Sequence, residues 1–301
     1  VVDNNSVDGS VKMVRNKFPN VTLIENKTNY GFSKANNQAI EKSNGRHILL
    51  LNPDTVVEES TLKKTVDFMD QNPDAGGLGV RMVDGKGNFL PESKRGLPTP
   101  KVAFFKIFGL SQLFPKSKFF GIYHLGYLNE YDINKVDVLS GAFLLFKREV
   151  ADKIGLLDEA FFMYGEDIDF SYRITEAGYN NYYYPDTSII HYKGESTKKS
   201  SVNYVFIFYK AMVIFAQKHF SKNNAKIFSF AIHLAIYFRA FLAILNRFIK
   251  FSFPIILDLS IILFGLVALT NHWKKMDIHF PEFVYNISIP IYTIIWGLSS
   301  L

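Results

Sequence analysis

The sequence predicts an α/β fold, a mostly parallel sheet with helices on both faces, followed by apolar helices that associate with a membrane. Short apolar runs bounded by turn residues alternate with stretches of helical composition through the first 200 of its 301 residues. That alternation is the pattern of strands joined by crossover helices. Two of the apolar runs stop in segments rich in Asn and Asp, which sets carboxylates at strand ends. Beyond Ser200 the polar punctuation thins and long apolar stretches take over.

Taken in order, Val1-Val2 is a strand stub that ends at Asp3-Asn4-Asn5-Ser6. The opening carries no initiator Met and reads as the middle of a βαβ unit, so a strand and a helix are expected before it. Residues 21–24 form a short apolar strand, and 31–42 have helical composition. His47–Leu51 is a continuous apolar run suited to a buried strand, stopped by Asn52-Pro53-Asp54. Residues 60–70 read as a helix that starts near Ser60 or Thr61. From 85 to 131 the pattern loosens around Gly96, Pro98, Pro100 and Pro115, with aromatic pairs at Phe104-Phe105 and Phe119-Phe120. Such a stretch is either an insertion beside a substrate or an ordinary surface excursion. Residues 136–146 then predict a strand, 147–154 a helix, 171–177 a helix and 182–190 an aromatic, β-branched strand.

The last third differs in composition. Residues 205–220 predict an apolar helix with polar edges. Residues 228–249 are apolar apart from His233, Arg239, Asn246 and Arg247, a composition that fits the plane of a membrane interface. Residues 251–269 are long enough, at about 1.5 Å per residue, to cross a ~30 Å hydrocarbon layer, with Pro254 and Asp258 as blemishes. Residues 271–275 read as a polar loop, and 283–298 as a shorter apolar segment interrupted by Pro290. The alternative for this third is a soluble helical cap. Nine of the 34 basic residues but only three of the 28 acidic ones lie beyond Ser200, so the whole net charge of +6 belongs there. A basic, apolar tail points to anionic lipid, and the neutral first 200 residues give no footprint for nucleic acid.

With no cysteine, disulfides, zinc–thiolate sites and thiol nucleophiles are excluded. A metal would have to sit on carboxylates, His or backbone, which favours Mg²⁺ or Mn²⁺. Asp3 and Asp54 each follow a strand, where ligands bind in open α/β sheets. A third acidic cluster, Glu166, Asp167 and Asp169, lies after the aromatic run Phe161-Phe162-Met163-Tyr164 at the start of a helix. One carboxylate suffices to cap a helix; three within four positions point to a cation or to proton transfer.

Six motifs stand in order. They are Val1-Val2-Asp3-Asn4-Asn5-Ser6-Val7-Asp8-Gly9-Ser10, Asn29-Tyr30-Gly31-Phe32-Ser33-Lys34-Ala35-Asn36-Asn37, Asn52-Pro53-Asp54, Ser140-Gly141-Ala142, Gly165-Glu166-Asp167-Ile168-Asp169 and His191-Tyr192-Lys193-Gly194-Glu195-Ser196. Together they resemble the family 2 glycosyltransferases, most closely the rhamnosyltransferase-like branch that builds bacterial polysaccharides, over residues 1–200. The resemblance implies a Rossmann-like GT-A domain at 1–200, with 201–301 as a membrane-associated helical segment whose spans lie near 251–269 and 283–298. It implies that Asp3 contacts the nucleotide base with Asn5 and Ser6 nearby, and that Asn29, Gly31 and Phe32 wrap the nucleotide. Asp54 matches the last acid of the family's Asp-x-Asp metal motif, although Asn52 stands at its first position and leaves the metal less charge. His191 matches a His that completes the metal site in some relatives, and Asp167 looks like the general base, with Glu166 and Asp169 as supporting or positioning groups. Arg95 resembles an acceptor-side residue that meets a phosphate.

The chemistry so implied is transfer with inversion from a nucleotide-sugar to a lipid-linked or growing glycan, at the cytoplasmic face of a bacterial inner membrane. dTDP-rhamnose is the favoured donor, with UDP- and GDP-sugars open. A hydrolase using two carboxylates explains neither the nucleotide segment nor His191. A processive synthase would carry a Gln-x-x-Arg-Trp motif, yet Trp273 and Trp296 both lie in the tail. A nucleotidyltransferase is a third possibility, and an inactive membrane scaffold that keeps the fold is a fourth. The glycosyltransferase reading requires positions 3, 54, 167 and 191 to share one rim, with neither Asp54 nor Asp167 buried against a permanent Arg or Lys.

Overall fold

A computed structural model describes residues 1–192, 202–220, 222–275, 281, 283 and 287–299. Its elements are β1 (Val2–Asp3), α1 (Ser10–Lys17), β2 (Ile24–Glu25), α2 (Phe32–Glu41), β3 (His47–Leu51), β4 (Thr55–Val57), α3 (Thr61–Gln71) and β5 (Ala75–Val83). The insertion carries α4 (Pro100–Ile107) and α5 (Leu110–Leu113), with a 3₁₀ turn before them at Pro91–Ser93 and another after them at Gly121–His124. Then come β6 (Asn134–Val136), β7 (Phe143–Lys147), α6 (Arg148–Ile154), α7 (Glu166–Glu176), β8 (Asn180–His191), α8 (Val202–His219), α9 (Lys222–Lys275) and α10 (Ile289–Ser299).

The expectation of a mostly parallel sheet needs correction. The main sheet runs β3-β7-β5-β8-β4, with β6 also on β8. Of these pairings β5–β8 is parallel and the others are antiparallel; β1 and β2 form a separate parallel pair. The reason is local. Residues 136–146, which the sequence predicts as one strand, break at Ser140-Gly141-Ala142 into β6 and β7. β7 then enters antiparallel between β3 and β5. β4, unforeseen, follows the Pro53-Asp54 turn and runs back along β8.

β5 is also unforeseen, because Ala75-Gly76-Gly77-Leu78-Gly79 looks like a turn. Packing explains the glycine at 76: a Cβ there would stand 2.6 Å from both Ile174 and Tyr179. β7 alternates as a strand buried on both faces should. Leu144 and Phe146 join the cluster with Ile48, Leu50, Phe170 and Tyr183. Phe143 and Leu145 join the one with Met69, Leu78 and Met82. α2, α6 and α7 cover the first face and α3 the second, so helices flank both faces as expected.

The chain divides into two compact units, Val1–Ile232 and His233–Leu301. The segments expected as separate helices at 228–249 and 251–269, and the loop expected at 271–275, form one continuous helix, α9. Pro254 lies inside it, at the cost of one backbone hydrogen bond. Within α9, Phe248–His272 is long and apolar enough to cross a membrane, with a mean hydropathy of 2.3 and 6% of it buried. Pro290 does not interrupt α10; it stands in the first turn, where a missing N–H costs nothing. Residues 284–286 of the segment expected at 283–298 lie outside the described residues.

Candidate active site

The site forms where β3 ends and β7 begins. Asn52, just past β3, donates its backbone N–H to Ala142 O at 3.1 Å, which ties the Asn52-Pro53-Asp54 turn to the Ser140-Gly141-Ala142 turn. Gly141 N–H in turn donates to Asp167 Oδ2 at 3.3 Å. A Cβ added to Gly141 would stand 3.6 Å from Asp167 Cβ and 3.7 Å from the Phe32 ring, so both side chains close on this turn. On the other side, register pairs Thr55 with His191. His191 Nε2 lies 3.3 Å from Asp54 Oδ1, and Tyr192 N–H donates to Asp54 O at 3.0 Å. Asp54, His191, Phe32 and Asp167 therefore gather at one rim of the sheet. Residues 193–196 of the last motif lie outside the described residues.

The residues expected on the nucleotide side are joined through Asn4, to which the motifs give no role. Its side chain donates to Asn29 Oδ1 and to Gly31 O, both at 3.0 Å, and accepts from Asn26 and from Tyr30 N–H. Asp3 is buried, and its Oδ2 accepts from the N–H groups of Asn5 and Ser6 at 3.1 and 3.0 Å. This carboxylate shapes its own loop, in which Asn5 takes a φ of 73° that Asn tolerates better than most residues. Asn5 and Ser6 are exposed. Gly31 has a φ of 87°, and a Cβ there would fall 2.4 Å from Phe162 O. The close approach seen at Gly31 is to the chain's own Phe162. Phe32 N–H and Ser33 Oγ complete the joint, donating to Phe162 O at 2.7 Å and Phe161 O at 2.8 Å.

The three carboxylates of α7 separate into distinct roles. Asp169, expected from the motif to support or position the base, is bound up in a cluster of its own. It is fully buried and accepts from Arg173 Nε at 2.7 Å and Lys218 Nζ at 2.8 Å, and bonds His219 Nε2 at 2.6 Å. It fastens α8 to α7. Burial raises its pKa, but Lys218 and His219 outweigh this and hold it below the usual carboxylate value.

Glu166 is buried and its Oε2 has no hydrogen-bond partner. Burial first, and the neighbouring Asp167 second, push its carboxyl up to about 8. Because the folded value lies above the ordinary 4.5, the native state binds the extra proton between those two values. Its contribution to stability is complete below about pH 4.5 and is lost as pH rises towards about 8. Glu166→Gln should flatten this decline, read from urea midpoints across that pH range. An unaltered slope would assign it to other groups.

Asp167 meets the first requirement, sharing a rim with Asp54; the second turns on whether its partner Arg95 is permanent. Arg95 Nη2 donates to Asp167 Oδ2 at 2.5 Å and to Leu139 O at 2.6 Å, with the two side chains 11% and 14% exposed. Arg95 is thus no free phosphate contact. Burial works against its charge, yet Asp167 holds it protonated more firmly than usual. One residue earlier in the chain, Lys94 lines a cavity of about 750 Å³ in the insertion, together with Ser111, His124, Tyr127 and Asn129. That size is within the roughly 300–1,000 Å³ of small-molecule sites.

Residues 1–204 match the model of "Glycosyltransferase like family 2". The chain belongs to that family. This glycosyltransferase is 26% identical over 231 residues to the N-acetylglucosaminyl-diphospho-decaprenol L-rhamnosyltransferase of Mycobacterium tuberculosis, covering 73% of this chain and 74% of that one. It is 27% identical over 174 residues to the rhamnosyltransferase WbbL of Escherichia coli, covering 54% and 61%. Both relatives are named rhamnosyltransferases, which supports the rhamnosyltransferase-like branch of the family. Among solved structures, the mannosyltransferase PcManGT of Pyrobaculum calidifontis, in complex with GDP-Man and Mn²⁺, aligns with a TM-score of 0.48 at 17% identity, over 84% of this chain and 70% of that one.

As a metal site, the transferase offers one carboxylate and one imidazole, 3.3 Å apart. Among the described residues no group of three or more His, Asp or Glu is placed to hold a metal ion. Two protein ligands suit Mg²⁺ or Mn²⁺, which keep waters and take substrate phosphate oxygens for the rest of their shell. The pair is legible in the sequence only because residues 54 and 191 both match motifs; nothing local to either predicts the other.

Proposed function

We propose that this glycosyltransferase moves a sugar, with inversion, from a nucleotide-sugar to a lipid-linked or polysaccharide acceptor in bacterial cell-surface glycan synthesis. It would work at the cytoplasmic face of the inner membrane, residues 1–200 forming the transferase domain and 201–301 the membrane-associated helices. The observation that carries this reading is the grouping of the Asp54–His191 pair and Asp167 at one sheet rim. The names of the relatives favour rhamnose as the sugar and a lipid diphosphate as the acceptor's carrier.

Asp54 and His191 would hold Mg²⁺ or Mn²⁺, and Asn52 beside them adds no charge. Such a cation neutralises the charge that grows on a diphosphate leaving group. Asp167 takes the proton from the acceptor hydroxyl. Glu166 supports that role by keeping its own proton at neutral pH, so the negative charge of the pair stays on Asp167. For the proton to be accepted, Arg95 must yield at least part of its hold on Oδ2. The cavity that Lys94 lines, one residue from Arg95 in the chain, would give the acceptor room. Asn29 and Phe32, braced by Asn4 and Phe162, line the nucleotide side with Asp3.

The test is Mn²⁺ titration of nucleotide-sugar binding. Asp54→Ala should weaken the metal-dependent part by more than the roughly 10–100-fold that loss of an outer-shell partner costs. Unchanged Mn²⁺ dependence would take Asp54 out of the site.

A further inference from the structure

The insertion has an exposed face that the transfer chemistry leaves unused. Between Glu92 and Glu130 no acidic residue occurs, while Lys94, Arg95, Lys101, Lys106, Lys116 and Lys118 all do. α4 and α5 and the turn after them gather phenylalanine rings in contact, with Phe105 against both Phe119 and Phe120, and Phe114 against Phe120. Packing covers only part of this cluster. Leu113 is 69% exposed, Phe119 51% and Phe114 47%, and Phe104 is exposed beside them. Lys101, Lys116 and Lys118 belong to the same short stretch, and Lys101 Nζ lies 3.7 Å from the centre of the Phe119 ring.

Isolated apolar side chains on a surface need no explanation, but a contiguous group does. A solvated face would dilute its lysines with acids, and a protein interface would deplete lysine at its apolar centre. Aromatic and leucine side chains mixed with unopposed lysines match the boundary between headgroups and acyl chains of an anionic membrane.

We propose that the face formed by Phe104, Leu113, Phe114 and Phe119 with Lys101, Lys116 and Lys118 docks on an anionic lipid surface. The proposal rests on the reading that this transferase works at a membrane, and it adds a second contact with that membrane, made by the transferase domain itself. Docking there would hold the cavity lined by Ser111, Gln112 and Lys116 close to lipid, where a lipid-borne acceptor arrives.

The chain has no cysteine, so one introduced thiol is labelled uniquely. The full chain carrying Leu113→Cys with an environment-sensitive fluorophore is reconstituted into phosphatidylcholine vesicles, with or without phosphatidylglycerol, that contain a nitroxide-labelled lipid. Lys63→Cys on the exposed face of α3 is the control. The label at 113 should shift to the blue and be quenched when phosphatidylglycerol is present, and the label at 63 should not. Adding Lys116→Glu and Lys118→Glu should return the 113 signal towards that of 63. If the chain enters vesicles but 113 behaves like 63, the proposal fails and the membrane reading stands. If it stays in the soluble fraction, both fail. Quenching that ignores both phosphatidylglycerol and the charge reversals also overturns the anionic surface, as does a 113 label shielded only by an added protein.

Discussion

Asp167→Asn lowers sugar transfer on the order of 10²–10⁴-fold, the range a positioned general base contributes, and leaves nucleotide-sugar affinity within a few-fold. Asn preserves the shape of the site. Its amide oxygen still accepts from Arg95 and from Gly141 N–H, the two donors that hold Asp167 Oδ2. The variant therefore removes the capacity to take a proton while sparing both contacts to Oδ2, and gives up only the local bond from Ile168 N–H to Oδ1. This matters because the Arg95 bond competes for the oxygen that a base must offer. A carboxylate that serves only as the anchor of a buried guanidinium would give the opposite result, a stability loss with turnover intact. The measurement is turnover at saturating donor and acceptor, alongside donor binding by thermal shift. Near-normal turnover from well-folded Asp167→Asn would make Asp167 a structural partner of Arg95 and move the search for a base elsewhere.

Asp167 also marks how far a sequence discloses its own site. His47–Leu51 is legible to the residue, because a five-residue apolar run closed by Asn-Pro-Asp has few other interpretations. β5 is not, because the glycines that allow Ile174, Tyr179 and Leu139 to pack against it are those that mark turns elsewhere. Strand direction is equally hidden. It depends on how Ser140-Gly141-Ala142 divides one apolar stretch, and the stretch itself has the same composition either way. At the site, the grouping of Asp54 and Asp167 is accessible from strand ends and motif order. The division of labour in Glu166-Asp167-Ile168-Asp169 is not. Asp169 is distinguished by Lys218 and His219, 49 and 50 residues further along on another helix, and Asp167 by Arg95, 72 residues earlier. Burial and pairing make those assignments, and neither leaves a local trace.

Asp169→Ala should destabilise the first unit by about 3–5 kcal/mol, the usual consequence of removing one partner from a buried charge cluster. The carboxylate is fully buried and is shared by Arg173, Lys218 and His219, so its loss strands cationic groups in a place built around a negative charge. Arg173 keeps its bonds to the carbonyls of Ile154, Gly155 and Leu156, and Lys218 keeps Asp158 at 2.8 Å. The damage should therefore centre on the end of α8, with hydrogen exchange there rising before it rises in the sheet. Asp169→Asn, which retains the volume and one acceptor, should lose less. Because the folded-state value of Asp169 lies below the ordinary 3.8, its contribution is present above that pH and disappears as pH falls through the lowered value. The Ala variant should accordingly show a shallower acid limb in urea midpoints measured against pH. A loss under ~1 kcal/mol, or exchange unchanged in α8, would mean that the cluster is solvated in solution and holds nothing. Since α7 also begins with Glu166 and Asp167, about two turns from Arg173, a clamp of this strength is what keeps the candidate base in register with the Gly141 turn, far from any contact with substrate.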